Sequence, residues 1–180
     1  MEVQEDNPYW TINNNKFKDQ VNRILGNVYA SYDVLPWLNI TDRVGIDQYG
    51  DDRKQNYAIT SATAKPGQVI YDDYFFQSLN NDLIATLSHK LTKSLNGTLL
   101  LGNNFYDEKY HHENSTGSTL IIPNFYDLGN TSAQTTYSTS YVIRKKAYFA
   151  QAKFDYKNFL FIDAGIRAEN SSAFVSPLTP

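Results

Sequence analysis

The segment Tyr148–Arg167, YFAQAKFDYKNFLFIDAGIR, alternates almost end to end. Tyr148, Ala150, Ala152 and Phe154 share one face, joined after a short break by Leu160, Ile162, Ala164 and Ile166. Gln151, Lys153 and Asp155 share the other, joined by Asp163, Gly165 and Arg167. Phe149 and Phe161 fall out of pattern on that second face. A period of two means strand, because successive side chains point to opposite sides. The break at Tyr156-Lys157-Asn158-Phe159 has room for a tight turn and nothing more. This is a hairpin of two strands of about ten residues each, one face apolar and one mostly polar. Strand length and alternation are those of a transmembrane β-barrel.

The rest of the chain repeats the unit. Strands are predicted over 23–33, 38–47, 82–91 and 98–105, ahead of the hairpin. Short turns fall near 34–37, 92–96 and 156–159. Long polar loops are expected at 1–22, 49–80, 106–140 and 168–180. Pro36 suits the first turn, since it cannot donate to a ladder. Asp42 sits on the apolar face of its strand and breaks the pattern; a bulge or a less lipid-exposed position would each account for it. The predicted fold is all-β: an antiparallel up-and-down meander of about six long strands, part of a large transmembrane β-barrel. Loops near thirty residues are uncommon in compact soluble domains. Short turns at one end and long loops at the other are the habit of outer-membrane barrels, the short turns periplasmic. Tyr32, Trp37, Phe154, Tyr156 and Phe159 cluster at the short-turn ends, where an aromatic girdle would sit. Six strands are too few to close such a barrel, and an open sheet leaves two unpaired edges in lipid. The chain is therefore expected to be a slice of something longer, an expectation its acidic N-terminus without a signal-peptide core also favours.

Composition narrows the alternatives. The 180 residues carry a net charge of −3, which gives no electrostatic case for nucleic acid. No run approaches the roughly 18 apolar residues of a membrane helix, but barrel strands need apolar residues only at alternate positions. There is no cysteine, hence no disulfide frame and no thiolate metal site. His111-His112-Glu113, with Asp107 and Glu108 nearby, is a weak metal candidate and reads better as a solvated loop. Asp47, Asp51 and Asp52 lack a calcium-loop pattern. Asn39, Asn96, Asn114, Asn130 and Asn170 open glycosylation-type triplets, as expected by chance in a chain this rich in Asn and Thr. No nucleophile elbow, phosphate loop or Cys/His set is present, so neither an enzyme nor a cofactor is expected.

Several stretches resemble the SusC/RagA-like family of TonB-dependent outer-membrane transporters. They are Asn7-Pro8-Tyr9-Trp10, Asn13-Asn14-Asn15 and Arg23-Ile24-Leu25-Gly26-Asn27. Leu38 to Asp47 follows, where the family tends to run Leu-x-x-x-x-Arg-x-Gly-x-Asp. Asn81-Asp82-Leu83, Pro123-Asn124-Phe125-Tyr126 with Asn130, and Ala164-Gly165-Ile166-Arg167 with Ser171-Ser172 continue in the same order. Ala168-Glu169-Asn170 departs from the expected Asn-Asp-Trp-like run. The resemblance implies a mid-barrel slice of a plugged barrel of about 22 strands. It implies the outer membrane of a Gram-negative bacterium and import of oligosaccharides or peptides. It also implies energy from the TonB complex, through parts this chain lacks, and a SusD-like surface lipoprotein as partner. On that footing Tyr49, Tyr71, Tyr74, Tyr106 and Tyr110, with Phe75 and Phe76, are candidates to meet substrate or partner from the loops, with packing among themselves as the alternative. Arg43, Asp47, Lys153, Asp163 and Arg167 are candidates to line the lumen, with ordinary lumenal polarity as the alternative. The rival from another class is a soluble, secreted β-sandwich for carbohydrate binding or adhesion, its apolar faces buried between two sheets.

Overall fold

The computed structural model describes residues 5–173. Residues 1–4 and 174–180, the outer parts of the predicted loops 1–22 and 168–180, lie outside the described residues. A short helix, α1 (Pro8–Asn14), precedes six strands. These are β1 (Lys16–Leu35), β2 (Leu38–Tyr57), β3 (Gln68–Thr92), β4 (Leu95–Leu120), β5 (Thr131–Tyr156) and β6 (Leu160–Ser171). They form one six-stranded sheet in sequential order. No described helix is long and apolar enough to cross a membrane, which says nothing about strands.

The strands are far longer than the apolar pattern predicts. Most of the segments expected as long loops, 49–80 and 106–140, are strand, leaving connections at 58–67 and 121–130. Within the expected loops 1–22 and 168–180, residues 16–22 and 168–171 are strand too, and α1 occupies 8–14. The physical reason is that the ladder is made by backbone groups, which every non-proline residue carries. Hydrophobic alternation appears only where one face avoids water, so polar strands escape it. Tight connections fall at Pro36–Trp37, Lys93–Ser94 and Lys157–Phe159. The last has three residues between the paired Tyr156 and Leu160, with Lys157 and Asn158 at φ 54° and 53° and Phe159 N donating to Tyr156 O at 3.0 Å. That left-handed pair matches the twist of the flanking strands.

Contacts divide the chain into two units. Unit 1 takes Gln48–Phe76, Tyr110–Tyr141 and the described residues up to Arg23; unit 2 takes Ile24–Asp47, Gln77–Lys109 and the described residues from Val142. Unit 2 contains the alternating hairpin. Tyr148 pairs with Ala168, Ala150 with Ile166, Ala152 with Ala164 and Phe154 with Ile162, all on the apolar face. Lys153 pairs with Asp163 and Phe149 with Arg167 on the polar face. The apolar face stays open: Val28 is 72% exposed and Ile166 75%. Among the described residues only Ala58, Val69, Leu120 and Ala147 are buried apolar side chains. A β-sandwich needs a second sheet over such a face; the described residues form one sheet.

Two exceptions to the alternation find partners. Asp42 finds its partner on β3. Asn81 Nδ2 donates to its Oδ1 at 2.6 Å, and both residues sit on the apolar face by alternation. Phe149 lies over Gly102: a Cβ built there would come within 2.1 Å of the ring's Cζ. Glycine at 102 gives the ring its seat on the polar face, with the Arg167 guanidinium 5.9 Å from the ring centre. Gly102→Val is expected to destabilise the intact protein by about 1–3 kcal/mol, the usual cost of overpacking. Adding Phe149→Ala should remove most of that penalty; urea unfolding of the single and double variants measures the coupling.

Candidate functional site

Unit 1 carries two cross-strand rows of aromatic side chains on one face. In the first, the Arg23 guanidinium lies 5.9 Å from the Tyr49 ring, and Tyr49 stacks on Phe76 with ring centres 5.2 Å apart. Tyr110 stacks on Tyr141 at 5.0 Å. In the second, the Arg53 guanidinium sits 4.7 Å over Tyr74, and Tyr74 stacks on His112 at 4.1 Å and 3°. Tyr137 meets His112 edge-on at 5.7 Å. Alternation puts Asp72, Tyr74 and Phe76 on one face of β3, and Tyr110, His112 and Asn114 on one face of β4. Rings from neighbouring strands then turn their faces to each other, and such pairs add about 0.5–1.5 kcal/mol each beyond area burial.

Polar groups lock the second row. Asp72 Oδ1 is shared by His112 Nε2 at 2.9 Å and by Asn114 Nδ2, which donates at 2.8 Å. Asp51, buried, accepts from Arg53 Nε at 2.9 Å. That hydrogen bond holds the Arg53 guanidinium above its usual pKa. Burial, and then the Asp72 carboxylate, push the Tyr74 phenol up. Tyr74 has Arg53 from β2 on one face and His112 from β4 on the other. What it leaves free is its edge and hydroxyl. The row therefore offers hydrogen-bonding edges, a guanidinium and carboxylates rather than bare ring faces.

The sequence candidates divide between faces and units. Tyr49, Tyr74 and Tyr110 join the rows of unit 1, on strands rather than loops. Tyr71 also lies on β3 but on the opposite face, with Lys54 Nζ 4.8 Å from its ring. Tyr106 belongs to unit 2, where its hydroxyl donates to Glu108 and Lys145 Nζ lies 5.5 Å from its ring. On the polar face of unit 2, Lys153 Nζ is 3.8 Å from Asp163, which also accepts from Gln151 at 2.9 Å. Arg167 donates to Glu169 at 2.7 Å. Arg43 and Asp47 share that face by alternation, on β2. His111 and His112 are successive strand residues and point to opposite sides, so the pair cannot chelate one ion. Asp52, Asp73 and Glu113 lie on the opposite face of unit 1, where burial first and then the Asp52 charge raise the Asp73 pKa. Sequence reading took Phe76 only as a loop aromatic and His112 only as a weak metal candidate, and it missed Arg23, Arg53, Asp72, Asn114, Tyr137 and Tyr141. The signal was present: carried past the apolar strands, the period of two collects Asp72/Tyr74/Phe76 and Tyr110/His112/Asn114.

A scan against protein-family models finds no match, and a search of curated proteins finds none either. Solved structures do match. The RagAB peptide transporter superimposes with a TM-score of 0.85 at 14% identity, over 94% of this chain and 19% of that one. The chain has the fold of a transporter-barrel segment. The RagAB peptide importer in its open-open state gives a TM-score of 0.79 at 16% identity, over the same shares. The siderophore receptor PiuA from Acinetobacter baumannii gives 0.55 at 13% identity, over 85% of this chain and 26% of that one. These relatives are transporters and a receptor, not enzymes, and this chain spans about a fifth of the RagAB chain's length.

Asp72→Ala strips the shared acceptor from His112 and Asn114, both largely buried donors. A loss of about 1–3 kcal/mol in unfolding free energy is expected, the cost of leaving such groups unpaired. Asp72→Asn, which keeps one acceptor oxygen, should recover part of it; denaturant midpoints of the intact protein decide.

Proposed function

We propose that this chain is part of the wall of a SusC/RagA-like, TonB-dependent transporter in the outer membrane of a Gram-negative bacterium. In this reading the whole protein imports peptides or oligosaccharides with a SusD-like lipoprotein as partner, and TonB supplies the energy through regions outside this segment. The observation that carries the reading is a single meander sheet with an open apolar face and a polar opposite face. Open apolar area on this scale marks a membrane or partner surface in a folded protein. Alternate apolar and polar residues along long tilted strands are what lipid outside and water inside require. The likeness of fold to a RagAB segment and the sequence resemblance to the SusC/RagA-like family support the same assignment.

The tight turns at Pro36–Trp37, Lys93–Ser94 and Lys157–Phe159 then face the periplasm, with Trp37, Tyr156 and Phe159 at that interface. The connections at 58–67 and 121–130 face the cell exterior. The aromatic rows of unit 1, on the polar face, line the water-filled side, where Tyr49, Tyr74 and Tyr110 meet cargo through ring edges and hydroxyls. Arg43, Asp47, Lys153, Asp163 and Arg167 line the lumen, while Tyr71 and Tyr106 stand outside those rows.

The test is uptake. Cells lacking the intact protein should lose growth on one class of sole nutrient, defined peptides or defined oligosaccharides, and regain it on complementation. Complementation with Arg53→Ala plus Tyr74→Ala should leave the protein in the outer-membrane fraction and weaken uptake about tenfold at limiting nutrient. Unchanged growth on every class, or recovery of the protein in the soluble fraction, contradicts the assignment.

A further inference from the structure

We propose that the pocket between α1 and the 58–67 connection binds a primary ammonium or guanidinium group on an alkyl stem, as a basic side chain or a free polyamine presents it. The pocket belongs to unit 1 and shares no residue with the aromatic rows.

The helix is set by its two ends. Asn7 caps it, its Oδ1 accepting from Tyr9 N at 2.9 Å, and Pro8 opens the first turn with no N–H to satisfy. At the far end Asn13 Nδ2 donates to Tyr9 O at 2.7 Å and Asn14 Nδ2 to Trp10 O at 2.8 Å. Residues four apart share a helix face, so Tyr9 lies beside Asn13 and Trp10 beside Asn14. All four line an open pocket of about 700 Å³, together with Glu5, Asp6 and Thr60. Small-ligand sites have volumes of about 300–1,000 Å³. The connection that carries Thr60 is pinned. Asp6 Oδ2 accepts from Ser61 Oγ at 2.8 Å and from Ala62 N at 2.9 Å. Asn15 accepts from Ala58 N and donates to Ser61 Oγ, both at 3.0 Å. Ser61 is fully buried. These walls stand before a ligand arrives, which lowers the ordering cost of binding.

The same bonds decide what the lining has left to offer. The amide nitrogens of Asn13 and Asn14 are tied back to the helix carbonyls, so their oxygens are the ends left to a ligand. Glu5 is exposed and adds a carboxylate. Asp6 adds another, whose partners are a neutral hydroxyl and a backbone N–H. No cation is among the lining residues described. Lys16, just past the helix, donates Nζ to Ile12 O at 2.8 Å instead. Trp10 and the exposed Tyr9 supply rings, whose faces attract a cation within about 6 Å. An ammonium or guanidinium group meets the carboxylates and amide oxygens as a donor, and its stem packs on the rings. A sugar would stack on Trp10 too, but its oxygens would look for donors where two amide nitrogens are already tied back. An anion would meet two carboxylates.

The experiment titrates the intact protein, purified in a neutral detergent, by calorimetry at low salt. The probes are the end-blocked peptide Ala-Ala-Lys-Ala-Ala, its acetyl-lysine counterpart with the stem kept and the charge removed, spermidine, and maltose. The lysine peptide is expected to bind about tenfold tighter than the acetyl-lysine peptide and to weaken as salt rises, with maltose not binding. Spermidine binding at least as tightly as the peptide assigns the site to free polyamines; weaker binding assigns it to basic side chains. Trp10→Ala should weaken the lysine peptide about tenfold, and Trp10→Phe, which keeps a ring, should restore most of the loss. Glu5 is exposed, so Glu5→Gln reads binding rather than folding and should cost about threefold. Equal affinity for the acetyl-lysine peptide, preference for maltose, or unchanged affinity in both Trp10→Ala and Glu5→Gln overturns the proposal. Binding is measured without uptake, so failure of this site leaves the transporter reading standing, and failed uptake leaves the site standing.

Discussion

Backbone hydrogen bonding between neighbouring strands holds this chain together, because almost no core exists to do so. Four apolar side chains are buried among the described residues, two of them alanines. Fully burying a large apolar side chain contributes about 1.5–3 kcal/mol, and most of the large ones here forgo it within the chain itself. The outermost strands show the consequence most plainly. β1 is exposed along all twenty residues, and β6 along all but its last. A sheet built this way depends on what lies against its faces and its two edges. Lipid on the apolar face and further strands at β1 and β6 would supply both, and would leave no backbone group unsatisfied in the bilayer.

The same dependence explains which details break the simple pattern. Asp42 stands among apolar neighbours, yet Asn81 satisfies it on the same face, which lowers the cost of a carboxylate there. Phe149 stands among polar neighbours, yet Gly102 opens a seat for its ring. Each exception is resolved by one residue on an adjacent strand. Neither partner is visible from the exception's own strand, because the pairing between strands decides it. In unit 1, where neither face is apolar, cross-strand rings and shared carboxylates provide the side-chain contribution instead.

The fold was legible in the sequence where hydrophobicity alternates. Tyr148–Arg167 identifies its hairpin, its turn and both faces without a coordinate. Residues 49–57, 68–78 and 106–120 were not legible as strand. Both their faces carry polar residues, so hydrophobicity shows no period of two to detect. The aromatic rows suffered the same fate: Tyr49, Tyr74 and Tyr110 stand out as tyrosines, but their shared face emerges only once the strands are known to continue. His112 is the clearest loss. Beside His111 it suggests metal binding, whereas on a strand it turns away from its neighbour and packs between Tyr74 and Tyr137.

Which face of the sheet meets lipid decides the assignment. The chain has no native cysteine, so single cysteines can be placed along β5 of the intact protein in its membrane and spin-labelled. Collision with oxygen, which concentrates in lipid, and with a water-soluble nickel complex should then alternate residue by residue. Positions 150, 152 and 154 should favour oxygen, and 151, 153 and 155 should favour nickel. Nickel access at every position, with no period of two, would contradict the account.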